Sequence, residues 1–258
     1  MDFSYIVSGF AVGVLVGLTG VGGGSLMTPL LTLLFGVSPS VAVGTDLAFA
    51  SITKGAGTLA HRFKGNVHWD IVKKLCLGAL PAALLATLAL KYFGGLDQKI
   101  NLIIRYTIAC SVLLTVIALL FRGRMLHWLK HHPEKQLQGN NLTIATIAAG
   151  ALLGSLVTVS SIGAGAIGAT LLVLMYPRLS PAEIAGTDIA YAVPLTAIAA
   201  LGHWWLGSIN WGLLVMLLIG SVPGITIGAM GARAIPEKVL RALLATTLTG
   251  VAVKLLTT

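Results

Sequence analysis

The sequence predicts an all-α, polytopic membrane protein built from two inverted-topology repeats, each interrupted by a glycine-rich break. Three observations predict it. The 258 residues are 56% hydrophobic and 10% charged, with a mean hydropathy of +0.93, which is more apolar surface than a soluble domain of this size can hide. Two runs of small residues, Gly20-Val21-Gly22-Gly23-Gly24-Ser25 and Ser161-Ile162-Gly163-Ala164-Gly165-Ala166, interrupt long apolar stretches. A set of rare residues also recurs at a nearly constant spacing.

The apolar segments run roughly over 5–19, 25–36, 39–60, 70–92 and 101–121, then 142–160, 164–176, 181–205, 211–232 and 236–257. Segments of about 20 residues cross a hydrocarbon core at ~1.5 Å per residue, whereas 25–36 and 164–176 are too short to do so comfortably. They read as half-helices of a re-entrant hairpin or as short crossings, so six to ten spans are expected. No charged leader or cleavage site marks the start, and the first apolar segment is expected to be retained.

Five elements followed by five imply a repeat. Gly44-Thr45-Asp46 returns as Gly186-Thr187-Asp188, 142 residues on, and at that spacing Ser38-Pro39 meets Ser180-Pro181, Trp69 meets Trp211, Gly78 meets Gly220 and Pro81 meets Pro223. One residue closer, Gly9 meets Gly150, Gly13 meets Gly154, Gly22 meets Gly163 and Gly24 meets Gly165. The chain therefore divides into a first repeat over 1–121, a linker over 122–141 and a second repeat over 142–258. An odd number of crossings per repeat inverts the second relative to the first. On one side this places twelve basic residues, Arg62, Lys73, Arg122 and Arg124 among them, and on the other only Lys91, Lys99, Arg105 and Lys254. Basic residues favour the cytoplasm, so the linker is expected inside and both termini outside. Trp69, Trp204, Trp205 and Trp211 read as an interfacial belt.

A glycine run inside lipid frees backbone groups that lipid cannot satisfy, so it persists only where protein or a watery cavity covers it. Helices that restart after Gly24 and Gly165 aim free N–H groups and roughly half a unit of positive charge toward the protein's middle. Two such breaks at matched positions mark a transporter's substrate site. Thr19, Gly20, Gly22, Gly23, Gly24 and Ser25 on one side, and Ser160, Ser161, Gly163 and Gly165 on the other, are the expected substrate contacts, with Thr158 a further hydroxyl donor. An oxyanion held by these groups needs no side-chain cation. Close helix packing is the competing reading of the glycines.

Asp46 and Asp188 are the acidic residues placed well inside apolar segments, which suggests protonation coupled to transport. Alternatively each caps a helix that begins near it, with Thr45 and Thr187 assisting. Lys54, about two turns past Asp46, either snorkels to the cytoplasm or lines an anion path.

Other classes fit poorly. The net charge of +9 is scattered among loops, which argues against nucleic acid. Cys76 and Cys110 lie inside apolar segments, and His127, His131 and His132 lack the cysteines or carboxylates of a metal site, so neither metal nor cofactor is expected. HExxH, GxSxG and GxxxxGK[ST] are missing, which argues against an enzyme. A passive anion channel shares the breaks and is the alternative. The oligomeric state, a homodimer included, stays open.

With its N-terminal GxGGG-type stretch, repeated Gly-Thr-Asp and two homologous halves in about 260 residues, the chain resembles the sulfite exporter TauE/SafE family of permeases over essentially its whole length. The resemblance implies an inner-membrane carrier for small sulfur-containing anions such as sulfite, sulfonates or sulfoacetate. Ala164 stands where the fullest pattern has its middle glycine.

Overall fold

The computed structural model describes residues 3–19, 24–63, 65–93, 98–131 and 136–231, and the short stretches 245–246, 248–250 and 252–254. The described residues contain helices and no strands. In chain order the helices are α1 (Phe3–Thr19), α2 (Gly24–Leu34), α3 (Pro39–Phe63), α4 (Trp69–Tyr92), α5 (Gln98–His131), α6 (Gly139–Ser160), α7 (Ala166–Met175), α8 (Pro181–Trp205) and α9 (Trp211–Gly231). Most of the expected tenth segment, 236–257, lies outside the described residues.

Local chemistry accounts for several boundaries. Ser180 caps α8 in a reciprocal box with Glu183, and Pro181 supplies the preset φ of the first turn. Asp70 and Lys91 sit at the ends of α4 that favour their charges. One boundary departs from expectation. α5 continues past Phe121 to His131, so the region expected as a linker begins as helix. Arg122, Arg124 and Lys130 end the apolar run there, but arginine and lysine are good helix formers and do not end the helix.

Among the described residues, five stretches are long and apolar enough to cross a membrane: α4, Ile100–Met125 of α5, α6, α8 and Trp211–Gly228 of α9. α3 equals α8 in length, 25 residues, but carries Asp46, Lys54 and Arg62 and is less apolar. α2 and α7, with 11 and 10 residues, extend only about 15 Å each. Large apolar side chains such as Leu84, Leu85, Leu88, Ile117, Leu120 and Ile219 point outward, as a lipid-facing surface requires.

Spaced glycines set the helix contacts. A Cβ on Gly9 or Gly13 of α1 would overlap the backbone of Leu217 or Ser221 of α9, and one on Gly220 or Gly224 would overlap Ile6 or Phe10 in return. The α4–α6 contact is built the same way, with Gly150 and Gly154 against Leu75 and Ala79, and Gly78 against Ile147. These spaced positions serve packing, because only a missing side chain lets two backbones approach so closely.

α3 and α8 run antiparallel at the centre. Thr45, near the start of α3, accepts a hydrogen bond from the backbone N–H of Asn210 just beyond α8, at 3.1 Å. Thr187 accepts the matching bond from His68 just beyond α3, also at 3.1 Å. His68 also meets Glu183 across 2.8 Å at that edge.

Candidate functional site

α6 ends at Ser160 and α7 begins at Ala166, and every residue between them is buried. Ser161 adopts a left-handed conformation at φ 59°, and Gly163 and Gly165 lie at φ 132° and 137°. The two glycines are needed here because a side chain strains that backbone region. The turn satisfies part of its own polarity: the Gly163 carbonyl accepts from the N–H of Gly168 at 2.9 Å, and the Gly165 carbonyl from Ala169 at 2.8 Å.

Three polar groups converge on this turn. Lys54, reaching across from α3, is 6% exposed and donates from Nζ to the Ala164 carbonyl at 2.8 Å. Its ammonium is in electrostatic reach of both Asp46 and Asp188. Asp46 is fully buried; its Oδ2 accepts from Thr28 Oγ1 of α2 at 2.6 Å, and the Ser161 hydroxyl faces it. Asp188 Oδ1 lies so close to Gly168, in the first turn of α7, that a Cβ there would overlap it, and the Tyr191 hydroxyl lies against the same point. Asp188 Oδ1 and the Tyr191 hydroxyl are buried without a hydrogen-bond partner. Buried polar atoms are normally satisfied, so two orphans side by side at the start of α7 mark a site arranged for something besides stability.

Several expectations are corrected here. Asp46 and Asp188 each stand eight residues into their helices, so neither is a cap. Thr45 and Thr187 receive backbone N–H groups from the opposite half rather than assisting a local cap. Lys54 does not snorkel; its ammonium is buried at the turn, donating to the Ala164 carbonyl. Ser160 and Thr158 donate to the carbonyls of Leu156 and Gly154, each at 2.7 Å, so their hydroxyls are engaged by the backbone of their own helix. The dipole of α7 is faced by the protein's own Asp188. Of the first break, Gly20, Gly22 and Gly23 lie outside the described residues; Thr19 ends α1 and Gly24 and Ser25 open α2, with their side chains outside the description.

Thr28, Gly168 and Tyr191 had not been singled out. Tyr191 carried the clearest signal, since a hydroxyl one turn past Asp188 in an apolar helix shares that residue's face.

A polytopic helical bundle with a lipid-facing apolar exterior and a buried polar cluster at a helix interruption defines an integral membrane protein of the transporter class. The family model for the sulfite exporter TauE/SafE matches residues 5–255. The chain belongs to that family and is a multi-pass membrane transporter. It is 34% identical over 229 residues to the probable membrane transporter protein YjnA of Bacillus subtilis (strain 168), covering 89% of each chain. It is 28% identical to the probable membrane transporter protein YdhB of the same organism, over 90% of this chain and 91% of that one. With the probable membrane transporter protein MJ0441 of Methanocaldococcus jannaschii it shares 26% identity, over 76% and 69%. No solved structure matches the chain.

Proposed function

We propose that this transporter moves small sulfur-containing anions such as sulfite, sulfonates or sulfoacetate across the inner membrane, by alternating access around a midplane site between the two breaks. The observation that carries the reading is the buried turn 161–165 with the Lys54 ammonium on its Ala164 carbonyl. A helix restart supplies N–H donors and partial positive charge, and Lys54 supplies a full one. Such a site suits an oxyanion.

Gly163, Gly165, Ser161 and Lys54 hold the substrate from one side. The glycine stretch from Thr19 to Ser25, matched to this turn by its spacing in the sequence, supplies the remaining substrate contacts. The repeats are inverted and interleaved, a reading supported by the reciprocal Thr45–Asn210 and Thr187–His68 bonds and by the antiparallel α3–α8 pair. The basic bias supports a cytoplasmic connection between α5 and α6 and external termini.

The test is counterflow in liposomes holding purified protein, with labelled sulfite, methanesulfonate and sulfate. The expected result is saturable exchange of at least one of the first two, weakened at least tenfold by Gly165→Val. Flux that rises linearly with concentration would instead make the protein a passive channel. Exchange of sulfate alone would refute the substrate class.

A further inference from the structure

The α7 N-terminus, where the proposed substrate is held, is faced by a carboxylate of the same chain. Asp188 Oδ1 lies against Gly168 in the first turn, yet it accepts no hydrogen bond and is buried. An ionised carboxylate in that place would take up donors. Asp46 takes one on Oδ2, from Thr28, while its Oδ1 is without one. The Lys54 ammonium lies in electrostatic reach of both buried carboxylates, and Arg122 of α5 reaches Asp188 as well. Bringing an anion to this turn would add a further negative charge where water is excluded, and such charges are not tolerated without compensation.

We propose that Asp188 is the proton-coupling site of this transporter, carrying one proton that must be present for the anion to occupy the adjacent α7 N-terminus. The proposal rests on the substrate reading above and adds its coupling ion. With the carboxyl neutral, the helix terminus and the Lys54 ammonium are both released toward the substrate, while Asp46 remains the counter-charge of Lys54. By linkage, a bound anion raises the affinity for the proton by the same factor as the proton raises the affinity for the anion.

The surroundings of Asp188 are consistent with this role. Of the elements packed against α8, α3 contributes Lys54, α7 contributes Gly168, and α4 contributes Cys76, in electrostatic reach of Tyr191. α6 contributes the Thr158 carbonyl, engaged by His203 of α8 at 2.9 Å. α5 contributes Arg122, which acts on Asp188 electrostatically. Among the described residues, the Tyr191 hydroxyl, one turn along, is the orphan placed to exchange a proton with Asp188.

Two measurements on the full-length protein test the proposal. Infrared spectra of purified protein are compared for the wild type and Asp188→Asn. A protonated-carboxyl C=O band at neutral pH, absent from the variant, is expected; a wild type without a band assignable to Asp188 down to mildly acidic pH overturns the proposal. Should Asp188→Asn fail to fold, Asp188→Glu, which moves the band, takes its place.

Proteoliposomes then carry a pH gradient, with methanesulfonate as probe because its sulfo group stays ionised throughout. One proton per anion gives about tenfold accumulation per pH unit, and Asp188→Asn should exchange probe without any response to the gradient. Accumulation driven by Na+ and indifferent to pH, or undiminished pH-driven accumulation in Asp188→Asn, overturns the proposal. If neither methanesulfonate nor sulfite exchanges at all, the substrate reading fails while the infrared band still decides the proton on Asp188.

Discussion

Lys54 Nζ donates to the carbonyl of Ala164 across 2.8 Å, joining α3 of the first half to the interrupted turn of the second, 110 residues away. A buried lysine is rare because its charge is costly to desolvate, and it is retained where partners surround it. Here the partners are a carbonyl left free by the helix interruption and two carboxylates. The second half has Thr196 at the matching position, whose hydroxyl bonds back to Ala192 of its own helix. The site is therefore asymmetric, and one half supplies the cation.

Replacing Lys54 with Met should lower the melting temperature in detergent and reduce transport by more than tenfold. The lost charge-assisted bond alone is worth about 1.5–3 kcal/mol, and Asp46 loses its counter-charge. The double variant Lys54→Met/Asp46→Asn should regain thermal stability without regaining transport. A single variant as stable and active as the wild type would show that the ammonium is idle.

Asp46 and Thr28 form a second test. Thr28→Val removes the donor to Asp46 Oδ2 and should cost about 1–3 kcal/mol, the usual penalty of an orphaned buried group. Asp46→Asn keeps an oxygen for Thr28 and should cost less. The order of the two melting temperatures, Asp46→Asn above Thr28→Val, is the outcome to check.

Much of this was written in the sequence, and the remainder has physical reasons for being hidden. The α6–α7 interruption was legible because Gly163 and Gly165 sit where an apolar helix gains nothing from them. The buried position of Lys54 was not, because its acceptor is a backbone carbonyl remote in sequence and every residue has a carbonyl. The hydroxyls of Thr158 and Ser160 looked available because sequence does not show whether a serine or threonine bonds back onto its own helix, a common alternative. Gly9, Gly13, Gly150 and Gly154 stood out in the sequence by their spacing, while their use as contact points emerged only with the partner helices in place.

Two kinds of glycine should therefore respond differently. Gly78→Val drives a side chain into the Ile147 backbone and should prevent folding, read as aggregation in size-exclusion chromatography. Gly163→Ala meets only side chains, Val157 at 3.2 Å first, but places a Cβ on a φ of 132°. At a strain of about 1–3 kcal/mol it should remain folded and lose transport at least tenfold. A folded, fully active Gly163→Ala would remove the turn from the site.

The proposed orientation is checked at Gln138, which is exposed just before α6. A single cysteine there, with Cys76 and Cys110 replaced, should react with a membrane-impermeant maleimide only after cells are opened. Labelling in intact cells would reverse the topology.

The reciprocal threonines offer the sharpest test of the repeat. Thr45→Val strands the N–H of Asn210, and Thr187→Val strands that of His68, at bonds of equal length. Each loss should cost about 1–3 kcal/mol. If the repeats are related by a two-fold axis, the two variants should be destabilised to the same extent. The sites lie near opposite ends of the antiparallel α3–α8 pair and share no partner, so the double variant should equal the sum of the singles to within ~0.5 kcal/mol. Denaturation of the three variants in one detergent measures all of this. Unequal single effects, differing by more than about 1 kcal/mol, would mean that the two halves have diverged in how they hold the central helices together.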